Sequence, residues 1–295
     1  MTPPRQTPSP RVPMQWPDLT GRPRPEPDRG FAYGPDRLQT VDLWLPSGQP
    51  ADRWPTVLMV HGGCWQSSIA DRRLMDWACA DLRDAGIAVW NIEYRGVDRD
   101  GGGYPGTFRD AAAASDLLRV HADDLRLDLS RIVAVGHSAG GHLALWLAAR
   151  PRLPAASPLV TPDPLPIAHV VSLGGLPDLA AVAASPDNGC GTDVIARLVG
   201  DGPDRFADTS VPRLLPIGVP ADLLNGREDR IVPARMAPAY AAAARAAGDR
   251  VALHAVGNTG HVELISPGTP AWTKAVELVR KALVPAARPP ALPHA

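Results

Sequence analysis

Three short stretches hold residues whose types and spacing suit covalent acyl transfer. They are Gly136-His137-Ser138-Ala139-Gly140, Arg227-Glu228-Asp229-Arg230 and Gly260-His261. A serine hydroxyl is a poor nucleophile until a base takes its proton. The base, a histidine, needs a carboxylate to fix its tautomer and stabilise its charged form. Ser138 lies between Ile132-Val133-Ala134-Val135, a β-branched run that predicts a buried strand, and Leu143-Ala144-Leu145-Trp146-Leu147-Ala148-Ala149, which predicts a helix. Gly-x-Ser-x-Gly at such a junction predicts a tight, strained turn. Flanking glycines relieve its crowding, and the hydroxyl projects above the sheet beside the N-terminus of the helix. A helix N-cap serine would match the same five residues, but the strand before and the helix after favour a nucleophile.

His261 is the candidate base and Asp229 the candidate acid, with Glu228 its competitor; either carboxylate could equally be a solvated loop residue. Both sites follow strand signals, so they belong on the same sheet edge as Ser138, where open α/β sheets place their ligands. The other histidines fit less well. His137 and His142 are too near Ser138 in sequence, His169 starts a strand on the wrong edge, and His254 lies inside a strand. His121 is on a helix and His294 in the tail. Acyl transfer also needs N–H groups preorganised to meet an oxyanion. His61-Gly62-Gly63-Cys64-Trp65 follows a strand directly, so Gly62, Gly63 and Cys64, with the N–H of Ala139, are the candidate oxyanion hole. Trp65, Gln66 and Tyr104 are candidate pocket-lining residues.

These residues need a scaffold that brings distant strand ends together. Thr56–Val60, Ile87–Tyr94, His169–Leu173, Pro220–Leu224 and Val251–Val256 read as strands. Asp71–Ala85, Thr107–Leu125, Ala234–Ala247 and Ala271–Leu283 read as helices. This alternation predicts an α/β fold with a mostly parallel sheet covered on both faces. Residues 1–30, dense in Pro and Arg, read as a flexible arm, 31–285 as the domain, and 286–295 as a Pro-rich tail. Residues 174–215 break the alternation and read as a cap-like insertion above the strand ends.

A net charge of −1 gives no reason to expect nucleic acid or an anionic membrane as partner. No apolar run is long enough to span a bilayer, and the N-terminus lacks the apolar core of a secretory signal. Cys64, Cys79 and Cys190 have no C-x-x-C or zinc spacing, and an odd count without a signal suits a reduced, cytoplasmic protein. No metal or cofactor is expected. Gly101-Gly102-Gly103-Tyr104-Pro105-Gly106 lacks the Lys and Ser/Thr of a phosphate loop and reads as a flexible loop at the mouth of the site. The oligomeric state is open, a homo-oligomer included.

Together, His61-Gly62-Gly63, Gly136-His137-Ser138-Ala139-Gly140-Gly141-His142, Asp229-Arg230-Ile231-Val232-Pro233 and Gly260-His261 resemble the α/β-hydrolase superfamily, in its esterase/lipase and kynurenine formamidase-like branch. The resemblance runs from about Tyr33 to Leu283. It takes in Tyr33-Gly34, Asn91-Ile92-Glu93-Tyr94-Arg95-Gly96 and Phe206-Ala207-Asp208-Thr209-Ser210, with Val211 where many members have proline. It implies a carboxylesterase-like serine hydrolase acting on small-molecule esters, with aryl formamides, small amides or dipeptides as alternatives. His61-Gly62-Gly63-Cys64-Trp65-Gln66 is similar to the oxyanion loop of kynurenine formamidases, with Cys64 where those have an aromatic residue. A catalytically inactive hydrolase fold used for binding is the alternative of another class.

Overall fold

The computed structural model describes residues 12–202 and 204–284. Its framework is one eight-stranded sheet. The strands are β1 (Arg29–Ala32), β2 (Thr40–Trp44), β3 (Thr56–Val60), β4 (Ala88–Ile92), β5 (Ile132–His137), β6 (Ile167–Leu173), β7 (Ala221–Gly226) and β8 (Val251–Val256). Their order across the sheet is β1-β2-β4-β3-β5-β6-β7-β8. β1 and β2 are antiparallel to their neighbours, and every pairing from β4 to β8 is parallel. The central strands β3, β4 and β5 are buried at every residue, which is why they read as unbroken apolar runs rather than alternating ones.

Each central strand divides its side chains between two cores, as a period of two requires. Leu58, Val60, Ile132 and Ala134 pack with Phe108 and Trp146 on one face; Val57, Met59, Val133 and Val135 pack with Cys79 and Trp272 on the other. The helices are α1 (Trp16–Thr20), α2 (Asp76–Asp84), α3 (Gly106–Asp116), α4 (Leu118–His121), α5 (Ala139–Ala149), α6 (Leu179–Ala183), α7 (Asp193–Val199), α8 (Met236–Ala246) and α9 (Pro270–Leu283). α5 is buried along its whole length, which explains a helix apolar on every side.

The structure departs from the expected arm at the N-terminus. Residues 1–11 lie outside the described residues, as does the expected tail at 286–295 with His294. Residues 12–30 are folded against the domain. Leu19 of α1 is fully buried in the second core, the Met14 N–H donates to Glu263 Oε1 (2.6 Å) and Arg22 Nη1 donates to the Pro267 carbonyl (2.9 Å). One buried leucine in a Pro- and Arg-rich stretch leaves no periodic signal, and β1, an exposed edge strand, leaves none either.

Between β6 and β7, residues 174–215 carry α6, α7 and a 3-10 turn at Val211–Leu214. Leu179, Val182, Ile195, Leu198 and Val211 are buried in the first core, so the segment is built into the domain. The glycine-rich loop at 101–106 is a packed turn rather than a free one: the Gly103 N–H donates to Thr107 Oγ1 (3.0 Å) and the Tyr104 N–H to the Arg197 carbonyl (3.3 Å).

Candidate active site

The turn after β5 holds Ser138 at φ 55°, ψ −121°. A non-glycine residue there is strained, and it persists only where its surroundings fix it. The Ser138 N–H donates to the Leu173 carbonyl at 2.9 Å, and the Ser138 carbonyl accepts from Gly141 N–H at 2.9 Å. The glycines either side are required by close approach. A Cβ at Gly136 would stand 2.1 Å from the Gly140 carbonyl oxygen, and one at Gly140 would stand 2.2 Å from that of Val60. The sequence therefore brings β5, α5 and the end of β3 closer than any side chain allows.

Asp229 follows β7 and His261 follows β8, adjacent parallel strands whose C-terminal ends lie on the same edge. His261 Nδ1 donates to Asp229 Oδ2 at 2.7 Å, and both side chains are almost completely buried. Burial alone would raise the Asp229 carboxyl. The hydrogen bond and positive charge offered by His261, with the Val232 and Ile231 N–H groups, outweigh it and hold the group below the usual carboxylate range. Glu228 is used differently: its Oε2 accepts the Thr259 N–H at 2.9 Å, tying the loop after β7 to the loop after β8.

The expected oxyanion loop turns back on itself through positive φ at Gly63 (107°), Cys64 (52°) and Trp65 (55°). Its entry is fixed by His61, whose Nε2 lies 2.8 Å from Glu93 Oε1 and whose ring stacks on Tyr94. Glu93 is fully buried and also accepts the N–H groups of Tyr94 and Arg72. Among the described residues, the N–H groups of Gly62, Gly63, Cys64 and Ala139 take no backbone acceptor, which leaves them free to serve a ligand oxygen.

Ser138, His261, Gly63 and Cys64 line one cavity of about 410 Å³, closed by Trp16, Ile69, Leu74 and Ile231. Trp16 was not foreseen. Its indole stands edge-on to the His137 and His261 rings at 6.1 and 6.2 Å between centroids. Only the packing of α1 against the domain reveals it. The three residues expected to line the pocket do not. Trp65 is fully buried and donates from Nε1 to His142 Nδ1 (3.3 Å). Gln66 closes a turn onto Gly63, and the Tyr104 hydroxyl donates to Asp208. The histidines set aside are occupied elsewhere: His169 and His254 both bind Asp222, at 2.7 and 2.6 Å.

The expectation of three reduced cysteines is also corrected. Cys64 and Cys190, 126 residues apart, form a disulfide; Cys79 alone is free, and it is buried. Sequence spacing carries no information about such a pairing. Among the described residues no cluster of three or more His, Cys, Asp or Glu is arranged to hold a metal ion, and no helix is long and apolar enough to cross a membrane.

His142 links the site to pH. Its Nδ1 accepts from Trp65 and its Nε2 donates to the Thr209 carbonyl (2.8 Å), a pattern that only the neutral ring satisfies. Burial lowers its pKa to about 4. Between about pH 6.5 and about pH 4 the unfolded chain binds a proton that the folded one refuses, so stability falls as pH falls through that window, by about 3 kcal/mol in all. His142→Gln is expected to lose less stability than the wild type between pH 7 and pH 4 in urea titrations. Parallel losses would remove His142 from the account.

A family profile described as BD-FAE matches residues 41–242. Esterase LipC of Mycobacterium tuberculosis (strain ATCC 25618 / H37Rv) is 25% identical over 226 residues, covering 74% of this chain and 55% of that protein. The chain thus spans about half the length of that relative. Among solved structures, Thermogutta terrifontis esterase 2 phosphonylated by sarin superposes with a TM-score of 0.72 at 23% identity, over 88% of this chain and 96% of that one. A truncated carbohydrate esterase from gut microbiota gives 0.67 at 20% identity, over 87% and 96%. These likenesses show the α/β-hydrolase fold.

Proposed function

Because this chain belongs to the BD-FAE family and has the α/β-hydrolase fold, we propose that it is a serine hydrolase of small carboxylic esters. One observation carries the reading. His261, held 2.7 Å from the buried Asp229, borders the same cavity as a serine held at φ 55° on a strand-to-helix turn. Ser138 attacks the ester carbonyl while His261 Nε2 takes its proton and returns it to the leaving alkoxide. Asp229 holds the imidazole in the tautomer with hydrogen on Nδ1. The free N–H groups of Gly62, Gly63, Cys64 and Ala139 stabilise the developing oxyanion; water then repeats the steps on the acyl-enzyme. A cavity of about 410 Å³ is at the small end for ligand sites, which favours short acyl groups.

Trp16 closes that cavity and is the wall the acyl chain meets. Its helix is anchored by Leu19, so Trp16→Ala should enlarge the site without releasing the segment. The ratio of kcat/KM on p-nitrophenyl octanoate to that on the acetate is expected to rise about tenfold. An unchanged ratio would mean that Trp16 does not bound the acyl chain.

The sulfur chemistry bears on the compartment. The expected cytoplasmic placement has two grounds, an odd cysteine count and the lack of an apolar signal core; the Cys64–Cys190 bond argues against the first and favours an oxidising compartment. Initial rates on p-nitrophenyl acetate, butyrate and octanoate beside N-formylkynurenine test the activity. Fast ester turnover supports the reading. Preference for the formamide would move the protein to the formamidase alternative, and no turnover with no phosphonate labelling of Ser138 would leave a binding fold.

A further inference from the structure

We infer that the Cys64–Cys190 disulfide is a positioning element of the proposed ester hydrolysis, holding the oxyanion loop in register with the loop that carries Asp229. The inference rests on the hydrolase reading above. Cys64 is the middle of three consecutive residues with positive φ, a conformation that a non-glycine residue keeps only under external constraint. The constraints on either side are plain. His61 is pinned to Glu93 before it, and Trp65 bonds to His142 after it, with the Trp65 carbonyl accepting the Val97 N–H. At Cys64 itself the side chain is held by the covalent bond to Cys190.

Cys190 lies between α6 and α7, and its own backbone is fixed by Asn188, whose Oδ1 accepts the Cys190 N–H at 2.9 Å. The next link leads back to the catalytic loops. The Gly189 N–H donates to the Ile231 carbonyl at 2.8 Å, and a Cβ on Gly189 would stand 2.9 Å from Ile231 Cγ2. Ile231 in turn gives its own N–H to Asp229 Oδ1 at 2.8 Å. A continuous path therefore runs from the oxyanion loop through the disulfide and two hydrogen bonds to the carboxylate that orients His261. Cys64, Gly189 and Ile231 also share the cavity wall with Ser138. Without the sulfur bond the strained turn at Cys64 loses its tether. The N–H groups of Gly63 and Cys64 then average over more orientations, and transition-state stabilisation falls.

The effect belongs in kcat rather than KM, because an oxyanion donor meets charge that develops only in the transition state. Alkylation of the unfolded, unreduced protein should find one thiol, that of Cys79; three thiols would overturn the inference. Cys64→Ala, Cys190→Ala and the double variant should each lower kcat on p-nitrophenyl butyrate about tenfold with KM changed less than about twofold. The three should be equal, since each removes the same bond. If the variants fold poorly, the wild type treated with a phosphine serves instead. The phosphine gives two electrons to the S–S bond and ends as its oxide, two protons from water yield two thiols, and kcat should fall and return on reoxidation. An active wild type indifferent to the bond, or one in which KM rises while kcat holds, overturns the inference alone. An oxidised wild type with no turnover overturns the hydrolase reading and the inference with it.

Discussion

Ser138→Ala is expected to lower kcat on p-nitrophenyl butyrate by about 100,000-fold or more while leaving the circular dichroism spectrum unchanged. The size of the loss follows from the chemistry assigned to the residue. Its oxygen forms and breaks the acyl bond, so without it His261 and Asp229 have no nucleophile to serve, and only the oxyanion donors and substrate binding can still act. The fold should survive because the elbow is fixed by backbone groups. The Ser138 N–H and carbonyl are bonded to Leu173 and Gly141, and Gly136 and Gly140 give the turn its room. Alanine keeps all four. The variant should also resist labelling by an organophosphonate that modifies the wild type at one site. Rapid turnover by the variant would show that another residue carries the reaction, whereas an unfolded variant would show that the hydroxyl has a structural part.

The elbow was legible in the sequence for the same reason that it is stable: a contact too close for a Cβ demands glycine, and the chain records it at Gly136 and Gly140. The central strands were legible because burial on both faces demands unbroken β-branched and aliphatic runs, as in β3 and β5. What was not legible depends on distance across the fold. Trp65 follows the oxyanion glycines, yet the positive φ at Cys64 and Trp65 turns its indole inward to His142. Trp16 stands in a segment with the composition of a loose arm, and a single leucine, Leu19, docks it beside His261. Cys190 sits in the stretch where the alternation of strand and helix fails, and nothing local to it names Cys64 as its partner. Local patterns report burial and backbone shape well, whereas pairings made by long-range packing leave no periodic trace.

The sequence places Asp229 ahead of its neighbour Glu228 as the acid without excluding Glu228, and the pair provides the sharper test of the geometry. Asp229→Asn is expected to lower kcat/KM by about 10,000-fold, and Glu228→Gln by less than about tenfold. An asparagine at 229 can offer its amide N–H to His261 Nδ1. That stabilises the tautomer with hydrogen on Nε2, which cannot accept the Ser138 proton, and it removes the charge that supports the imidazolium. Acid alone cannot reproduce this at ordinary pH. The folded-state pKa of Asp229 is depressed, so the carboxylate stays ionised down to and below the usual carboxylate range, and the stability it contributes is lost only as pH falls through that lower value. Lowering the pH from about 8 to about 5 should therefore leave Asp229 charged, and the loss in Asp229→Asn should persist across that window. Glu228 faces the Thr259 N–H rather than His261. A glutamine there keeps a carbonyl oxygen that accepts the same hydrogen bond, so the two loops stay joined. A deep loss in Glu228→Gln with a mild one in Asp229→Asn would transfer the acid role to Glu228 and would mean that the two loops rearrange when substrate binds.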